Sequence, residues 1–289
     1  MPDISTLIPD IYKIVTNKGG WFSEEIAKEL GHDISTRLQT QFNERKASPT
    51  LRLSQMGPRC PKALWHSIHT PEQAEAFPPF VEIKLGYGHV IEALAIALAK
   101  ASGHSVEGEQ DELYLDGIRG HRDCVIDGCL VDVKSTTSIG FSKFKDGSLA
   151  HNDSFGYLEQ LDAYIGASSG DPLVRCKDRG FILAIDKNLG HMCLYEHRLR
   201  IDHIKQRIVQ HKEIVGRSSP PDCCCKSIPD GASGNLKLDT RASYSPYKFS
   251  CFPHLRTFIY AGGKPVFLTK VVKKPSVLEV DRFGKYVYN

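Results

Sequence analysis

The chain has 289 residues, 41% of them hydrophobic and 25% charged, enough to bury a sizeable core as one large domain or two small ones. Its formal charge of +3, from 37 basic and 34 acidic residues, gives no global attraction for a polyanion, so any nucleic-acid partner has to be argued from local motifs. No apolar run reaches the ~18 residues a bilayer span needs, and the start MPDISTLIPD lacks a basic segment followed by an apolar one, which predicts a cytoplasmic protein with no membrane partner.

In chain order, residues 1–47 read as a helical lead-in. STLIPDIYKIV has helical periodicity, and SEEIAKEL opens with Ser23 as cap and Glu24 and Glu25 in the first turn. KASPTLRLSQMGPRCPKALWHSI then brings a proline-bounded Cys60 and Trp65. A helix is predicted over VEIKLGYGHVIEALAIALAKASG, with Tyr87, Ile91, Leu94 and Leu98 as its apolar stripe and Gly103 at its end. Strand-like runs follow in HSVEGEQDELYLDG, IRGHRDCVI and CLVDVKST. A second helix, SFGYLEQLDAYIGA, puts Phe155, Leu158, Leu161 and Ile165 on one face. GFILAID and HMCLYEH form a hairpin through KNLG, and RIDHIKQRIVQHKEIV is a third helix. This order predicts an α/β fold in which helices cover a mixed sheet, with residues 48–217 as its body. The loop GRSSPPDCCCKSIPDGASGN, rich in Pro, Ser and Gly, marks off residues 218–289 as a smaller C-terminal segment.

The nine cysteines make an odd total for a disulfide framework, and Cys124, Cys129 and Cys193 lie in strand-like runs, so reduced thiols are expected. No P-loop, G-x-S-x-G elbow or paired C-x-x-C pattern is present, which removes support for a nucleotide-driven motor, a serine hydrolase or a standard zinc module.

GHRDCVIDGCLVDVKST holds the sharpest chemical signal. If Asp127 and Gly128 form a two-residue turn, Ile126 opposes Cys129, Cys124 opposes Val131, and Asp123 faces Asp132. Alternation then sets Asp123, Asp132, Lys134 and His121 on one face and Cys124, Val131 and Val133 on the other. Opposed carboxylates repel, so a cation is expected between them; Mg²⁺ or Mn²⁺, with their preference for carboxylate and carbonyl oxygens, suit the site. A lysine beside such an ion can orient its water and offset negative charge on a phosphate. Taken alone, an Asp-x-Lys on a strand is usually just a solvated polar face.

Two helices supply the remaining groups. Gly88, His89 and Glu92 share one face of the helix before the hairpin, with Gly88 leaving room for a close backbone and His89 as a secondary candidate ligand. Gln160 and Tyr164, one turn apart on the helix after it, can hydrogen-bond a phosphate without adding charge.

The ordered set GHVIE, GHRD, DVK and QLDAY, preceded by SQMGPRCPKALW, resembles the RecB-like branch of the PD-(D/E)XK nucleases over roughly residues 54–165. The resemblance implies a restriction-endonuclease-like core. It implies Glu92, Asp123 and Asp132, with the backbone carbonyl of Val133, as metal ligands, Lys134 as the catalytic lysine, and Gln160 and Tyr164 as substrate-positioning residues. Many members carry His where this chain has Glu92. Several also hold an iron-sulfur cluster on one cysteine before the core and three after it, spaced C-x2-C-x5-C; here those positions are Cys60, Ala242, Ser245 and Cys251. Alanine cannot ligate and serine is a poor substitute for a soft thiolate, so an intact iron-sulfur cluster is not expected; Cys223, Cys224 and Cys225 read first as free thiols in a loop, with thiolate ligands to a metal as the alternative.

Arg59, Lys62, Lys143, Lys145, Lys270, Lys273 and Lys274 are candidate phosphate contacts, and Phe141, Phe144 and Tyr157 are aromatics that either stack on bases or pack in the core. The combined expectation is a Mg²⁺- or Mn²⁺-dependent exonuclease acting on single- or double-stranded DNA ends in recombination, replication or repair. A phage origin would place it in a host cytoplasm, with a recombinase or single-strand-binding protein as partner. An endonuclease of the same superfamily and a non-catalytic DNA-binding scaffold are the alternatives.

Overall fold

The computed structural model describes residues 2–17, 22–43, 49–285 and 287; the expected boundary between residues 47 and 48 lies outside the described residues. In chain order the elements are α1 (Leu7–Asn17), α2 (Glu24–Phe42), α3 (Pro61–His69), α4 (Pro79–Ala101), β1 (Val106–Glu107), β2 (Glu112–Leu115), β3 (Ile118–His121), β4 (Cys124–Ile126), β5 (Cys129–Thr136), α5 (Ser138–Lys145), α6 (Tyr157–Ala167), β6 (Arg179–Asp186), β7 (Met192–Arg198) and α7 (Ile201–Val215). They continue with β8 (Ser227–Pro229), β9 (Leu236–Leu238), α8 (Thr240–Ser243), α9 (Lys248–Cys251), β10 (Arg256–Tyr260), β11 (Lys264–Lys270) and β12 (Leu278–Val280). The chain divides into two compact units, one of Met1–Lys46, Leu51–Gly57 and Pro78–Ile208, the other of Ala47–Thr50, Pro58–Phe77 and Val209–Asn289. No helix among the described residues is long and apolar enough to cross a membrane.

The first unit is a mixed α/β layer structure. Its sheet runs β1-β4-β5-β6-β7, with β5 and β6 parallel and the other neighbours antiparallel. Cys129, Val131 and Val133 point to a core shared with α1 and α4, while Leu130, Ile182 and Ala184 point to a second core containing α5, α6 and the start of α7. Alternation along β5 therefore delivers Asp132 and Lys134 to the α6 side.

The Asp127-Gly128 turn forms as expected, with φ of 50° and 76°, and gives the register Ile126↔Cys129, Val125↔Leu130, Cys124↔Val131. The run IRGHRDCVI, in contrast, is not one strand. A second Asp-Gly turn, at Asp116 and Gly117, folds β2 and β3 into a separate ribbon, and the chain bends at Arg122 before β4. The cause is the buried Arg122 side chain, whose Nε donates to Gly108 O at 2.9 Å and whose guanidinium pairs with Asp111 and Asp171. His121 consequently sits on the ribbon, exposed, 3.7 Å from Glu112 and not on the face of Asp132.

The α4 stripe also differs from expectation. Ala95, Ile96 and Ala99 face the sheet, while Tyr87 and Leu94 are exposed. The helix is covered twice, by the sheet and by α2, where Gly86 lies against Phe42 and Leu38; small residues on two sides obscure a single stripe. Phe155 likewise lies outside α6 and is exposed; Leu158, Leu161 and Ile165 alone make its buried stripe. Cys129 is not a free thiol but is joined to Cys176 in a disulfide.

The second unit contains an antiparallel sheet, β12-β10-β11-β9-β8, and a small core of Leu238, Ala242 and Leu255 with Cys225, Phe249, Phe252 and Phe267 against it.

Candidate active site

The site is built on β5, where the sequence alternates apolar and polar residues and so aims one carboxylate and one ammonium to the same side. Lys134 Nζ lies 2.9 Å from Asp132 Oδ1 and 2.8 Å from Oδ2. Asp132 is 2% exposed, and its Oδ2 accepts no hydrogen bond of good geometry. Burial pushes its pKa up to about 6, with Asp123 adding to the rise and Lys134 opposing it. Burial disfavours the Lys134 ammonium too, but Asp132 and Asp123 outweigh it and raise that pKa, so the lysine stays charged.

Asp123 lies one residue before the first rung of the β4–β5 ladder, opposite Asp132. The ladder's alternation turns the Val133 amide toward β4, but β4 has ended, and Asp123 Oδ2 accepts that amide at 2.7 Å. The turn thus fixes the aspartate, and the aspartate finishes the ladder.

From the α6 side, Gln160 Nε2 donates to Asp132 Oδ1 at 3.3 Å and reaches Tyr164 Oη at 3.2 Å. Asp153 accepts the amides of Gly156 and Leu158 at 2.8 Å each and so fixes where this helix begins. Tyr164 is buried; burial, reinforced by Asp132, raises its pKa and keeps the phenol protonated as a donor. Its ring packs on Gly120, where a Cβ would stand 2.9 Å from Tyr164 Cε1 and 2.8 Å from Leu53 Cβ. Only glycine fits there.

From the α4 side, Glu92 Oε1 accepts Arg37 Nη1 at 2.5 Å and Gln110 Nε2 at 3.0 Å. Burial and then Asp123 push its pKa up to about 7, against the pull of Arg37. Arg37 and Gln110 were not anticipated; the Asp33–Arg37 pair, one turn apart on α2, was the signal available for the former. The His89 imidazole meets Gln41 Oε1 of α2 at 3.2 Å. Gly88 has no backbone pressing on it, since a Cβ there would meet only Ser135 Oγ at 3.7 Å.

The donor set suits a hard divalent ion: carboxylate oxygens, one of them buried and without a hydrogen bond, whose mutual repulsion and burial raise their own pKa values. The three carboxylates do not converge within 4.8 Å of one another; among the described residues only cysteines do so in groups of three. Each carboxylate is held instead by its own partner, Asp132 by Lys134, Asp123 by the Val133 amide and Glu92 by Arg37.

Of the candidate DNA contacts in this unit, Lys143 donates to Asn152 O at 3.2 Å and Lys145 is exposed in the last turn of α5. Phe141 and Phe144 are core residues, which removes them as base-stacking groups. Tyr157 is half-buried with its ring 5.7 Å from Lys134 Nζ and 5.7 Å from the ring of Phe155, which makes Phe155 the exposed aromatic beside the site. In the second unit Arg59, Lys270, Lys273 and Lys274 are exposed and Lys62 is half-buried.

No protein-family model matches the chain, and no curated protein matches it in sequence. Among solved structures it is similar to the protein SSO0001, at 14% identity and TM-score 0.40 over 79% of this chain and 96% of that one. It is also similar to an alkaline exonuclease (LHK-Exo) from Laribacter hongkongensis, at 13% identity and TM-score 0.40 over 58% of this chain and 87% of that one. Likeness at this level says nothing of the chemistry of this chain, which rests on its own residues.

Proposed function

We propose that the chain is a divalent-metal-dependent deoxyribonuclease acting on DNA ends. The observation that carries this reading is Asp132, buried on β5, gripped through both oxygens by the Lys134 ammonium, with Asp123 beside it and Gln160 of α6 hydrogen-bonded to it. A carboxylate 2% exposed whose Oδ2 has only an ion pair and no well-aligned hydrogen bond is costly for the fold, and such costs concentrate where chemistry is done.

Asp132, Asp123, Glu92 and the Val133 carbonyl would hold a Mg²⁺ or Mn²⁺ ion, which supplies an activated water and a positive charge at the phosphate. Lys134, kept charged by its neighbours, offsets the negative charge that builds up on the phosphate during displacement. Gln160 and Tyr164 donate hydrogen bonds that set the phosphate in line. Arg59, Lys62, Lys143, Lys145, Lys270, Lys273 and Lys274 are proposed as backbone contacts, which give salt-dependent affinity without base preference. Recombination, replication or repair is the corresponding role, with a recombinase or single-strand-binding protein as partner.

The test is incubation with end-labelled linear and covalently closed circular DNA, single- and double-stranded, with Mg²⁺, Mn²⁺ or EDTA. Metal-dependent shortening of linear DNA that spares circles is expected. Cleavage of circles would make it an endonuclease, and no cleavage under any condition would leave a DNA-binding protein.

A further inference from the structure

We infer that the second unit carries a structural metal site of the zinc class, a mononuclear thiolate centre on Cys60, Cys223, Cys225 and Cys251. The inference is independent of the nuclease reading. The three cysteines far apart in sequence meet closely: Cys60 Sγ lies 3.6 Å from Cys223 Sγ and 3.9 Å from Cys251 Sγ. Two groups, Cys60 with Cys223 and Cys251, and Cys60 with Cys224 and Cys225, each have all their sulfurs within 4.8 Å of one another. Cys60 is common to both. Side-chain contacts also link Cys60 to Cys225 and Cys223 to both Cys225 and Cys251.

The spacing selects the kind of centre. A tetrahedral zinc ion with Zn–S bonds of about 2.3 Å places neighbouring sulfurs about 3.8 Å apart, which is the separation of Cys60 from Cys223 and from Cys251. A cubane iron-sulfur cluster attaches each thiolate to a different iron and spreads the sulfurs well beyond that. The positions that a C-x2-C-x5-C cluster motif would use are otherwise engaged: Ala242 packs in the apolar core with Leu238 and Leu255, and Ser245 Oγ accepts the Tyr247 amide at 3.3 Å.

The surroundings fit thiolates. Cys60 is 6% exposed and caps α3, and the Ala63 and Cys224 amides point at its sulfur, the outer-shell hydrogen bonding that thiolate centres use. Cys225, whose side chain contacts both Cys60 and Cys223, packs against the apolar core while Cys224 is exposed, so Cys225 is the fourth ligand and Cys224 the spare. The loop that reads as free thiols in sequence is thereby pinned to α3 and α9.

The test is elemental analysis and absorption spectroscopy of the full chain purified anaerobically from cells supplied with both iron and zinc. One zinc per chain and no visible colour are expected. Replacement of zinc by Co²⁺ should give the intense visible bands of a tetrahedral thiolate complex. Cys60→Ser and Cys251→Ser should lose the metal and lower the Tm, whereas Cys224→Ser should keep one zinc and the wild-type Co²⁺ spectrum. If the Cys60 variant does not fold, Cys224→Ser and the Co²⁺ spectrum of the wild type still decide the matter. Iron with acid-labile sulfide, or a metal-free chain whose cysteines titrate as free thiols or disulfides, would overturn the inference.

Discussion

Arg37 on α2 donates through Nη1 to Glu92 Oε1 on α4 at 2.5 Å, while its Nε is held by Asp33 Oδ1 at 2.7 Å. The first helical layer thus delivers a guanidinium to a carboxylate proposed as a metal ligand. Its Nη2 is buried without a hydrogen-bond partner among the described residues. Without Arg37, Glu92 would lose its main counter-charge.

Replacing Arg37 by Ala should therefore move the Glu92 pKa further up from about 7, because burial and Asp123 would be opposed only by the weaker pull of Lys134. The metal-dependent activity should need a higher pH to appear. Loss of a largely buried pair should also cost about 1–3 kcal/mol of stability, read from urea unfolding. An unchanged pH–rate profile with unchanged stability would show that the pair is incidental.

Asp132 and Glu92 both have folded-state pKa values above the ordinary carboxylate range, at about 6 and about 7. Protons therefore stabilise the metal-free fold; this contribution is complete below about pH 4 and is lost as pH rises through 6 to 7. Metal ions compete with those protons, so the rise in Tm produced by Mn²⁺ should be small at pH 5.5 and large at pH 8. Asp132→Asn should abolish the shift and the cleavage together while leaving the metal-free protein folded. A Mn²⁺ effect equal at both pH values would place the ion elsewhere.

Much of the unit that carries the candidate site was legible because its signals are local. The Asp127-Gly128 turn fixes the β4–β5 register by backbone sterics, and β5 alternation then settles which residues share a face with Lys134. Gln160 and Tyr164 follow from helical spacing once α6 is recognised. What escaped was set by partners distant in sequence. Arg122 splits an apparent strand because Asp111 and Asp171 neutralise it inside the fold, α2 changes which face of α4 is buried, and Cys60 gathers thiols from loops and helices more than a hundred residues away. No periodicity records such encounters.

Lys134→Ala should eliminate cleavage without loss of folding, since the side chain is half-buried and its removal leaves Asp132 free to take a proton near neutral pH. The readout is the single-turnover rate, expected to fall by about 100-fold or more, the scale of losing one preorganised charge at a reacting phosphate. Lys134→Arg should recover little, because the guanidinium fork would pair bidentately with Asp132 and offer the phosphate a bulkier, delocalised charge in place of a compact ammonium. Wild-type rates in either variant would remove the lysine from the chemistry.

Gly120 tests whether Tyr164 positions substrate. An alanine Cβ there would stand 2.8 Å from Leu53 Cβ and 2.9 Å from Tyr164 Cε1, closer than real carbon contacts allow. The ring has to move, and with it the phenol to which Gln160 is hydrogen-bonded. Gly120→Ala should cost about 1–3 kcal/mol in urea unfolding and lower the turnover number. Tyr164→Phe separates the two effects: it keeps the ring and its packing, so the stability should stay close to wild type while the rate falls. Equal losses of stability in both variants, with a normal rate in Tyr164→Phe, would confine Tyr164 to packing.

Asp162, in the same QLDAY motif, should behave in the opposite way. It is 0% exposed and accepts the Arg200 amide at 2.9 Å, Arg200 Nε at 2.8 Å and His197 Nε2 at 2.7 Å, so it ties α6 to the end of β7 and the start of α7. Burial opposes its ionisation, but the hydrogen bonds from His197 and the Arg200 amide prevail and hold its pKa below the ordinary aspartate range. Its stabilisation is therefore present above about pH 4 and is lost as pH falls through the lowered value. Asp162→Ala should cost about 2–4 kcal/mol at pH 7, since the amide and imidazole are left without an acceptor, and the difference from wild type should shrink as pH drops below about 4. Because Asp162 faces away from Asp132, the fraction that remains folded should cleave at close to the wild-type rate, measured under conditions where unfolding is negligible. A variant that is fully stable but inactive would transfer Asp162 from the scaffold to the reaction.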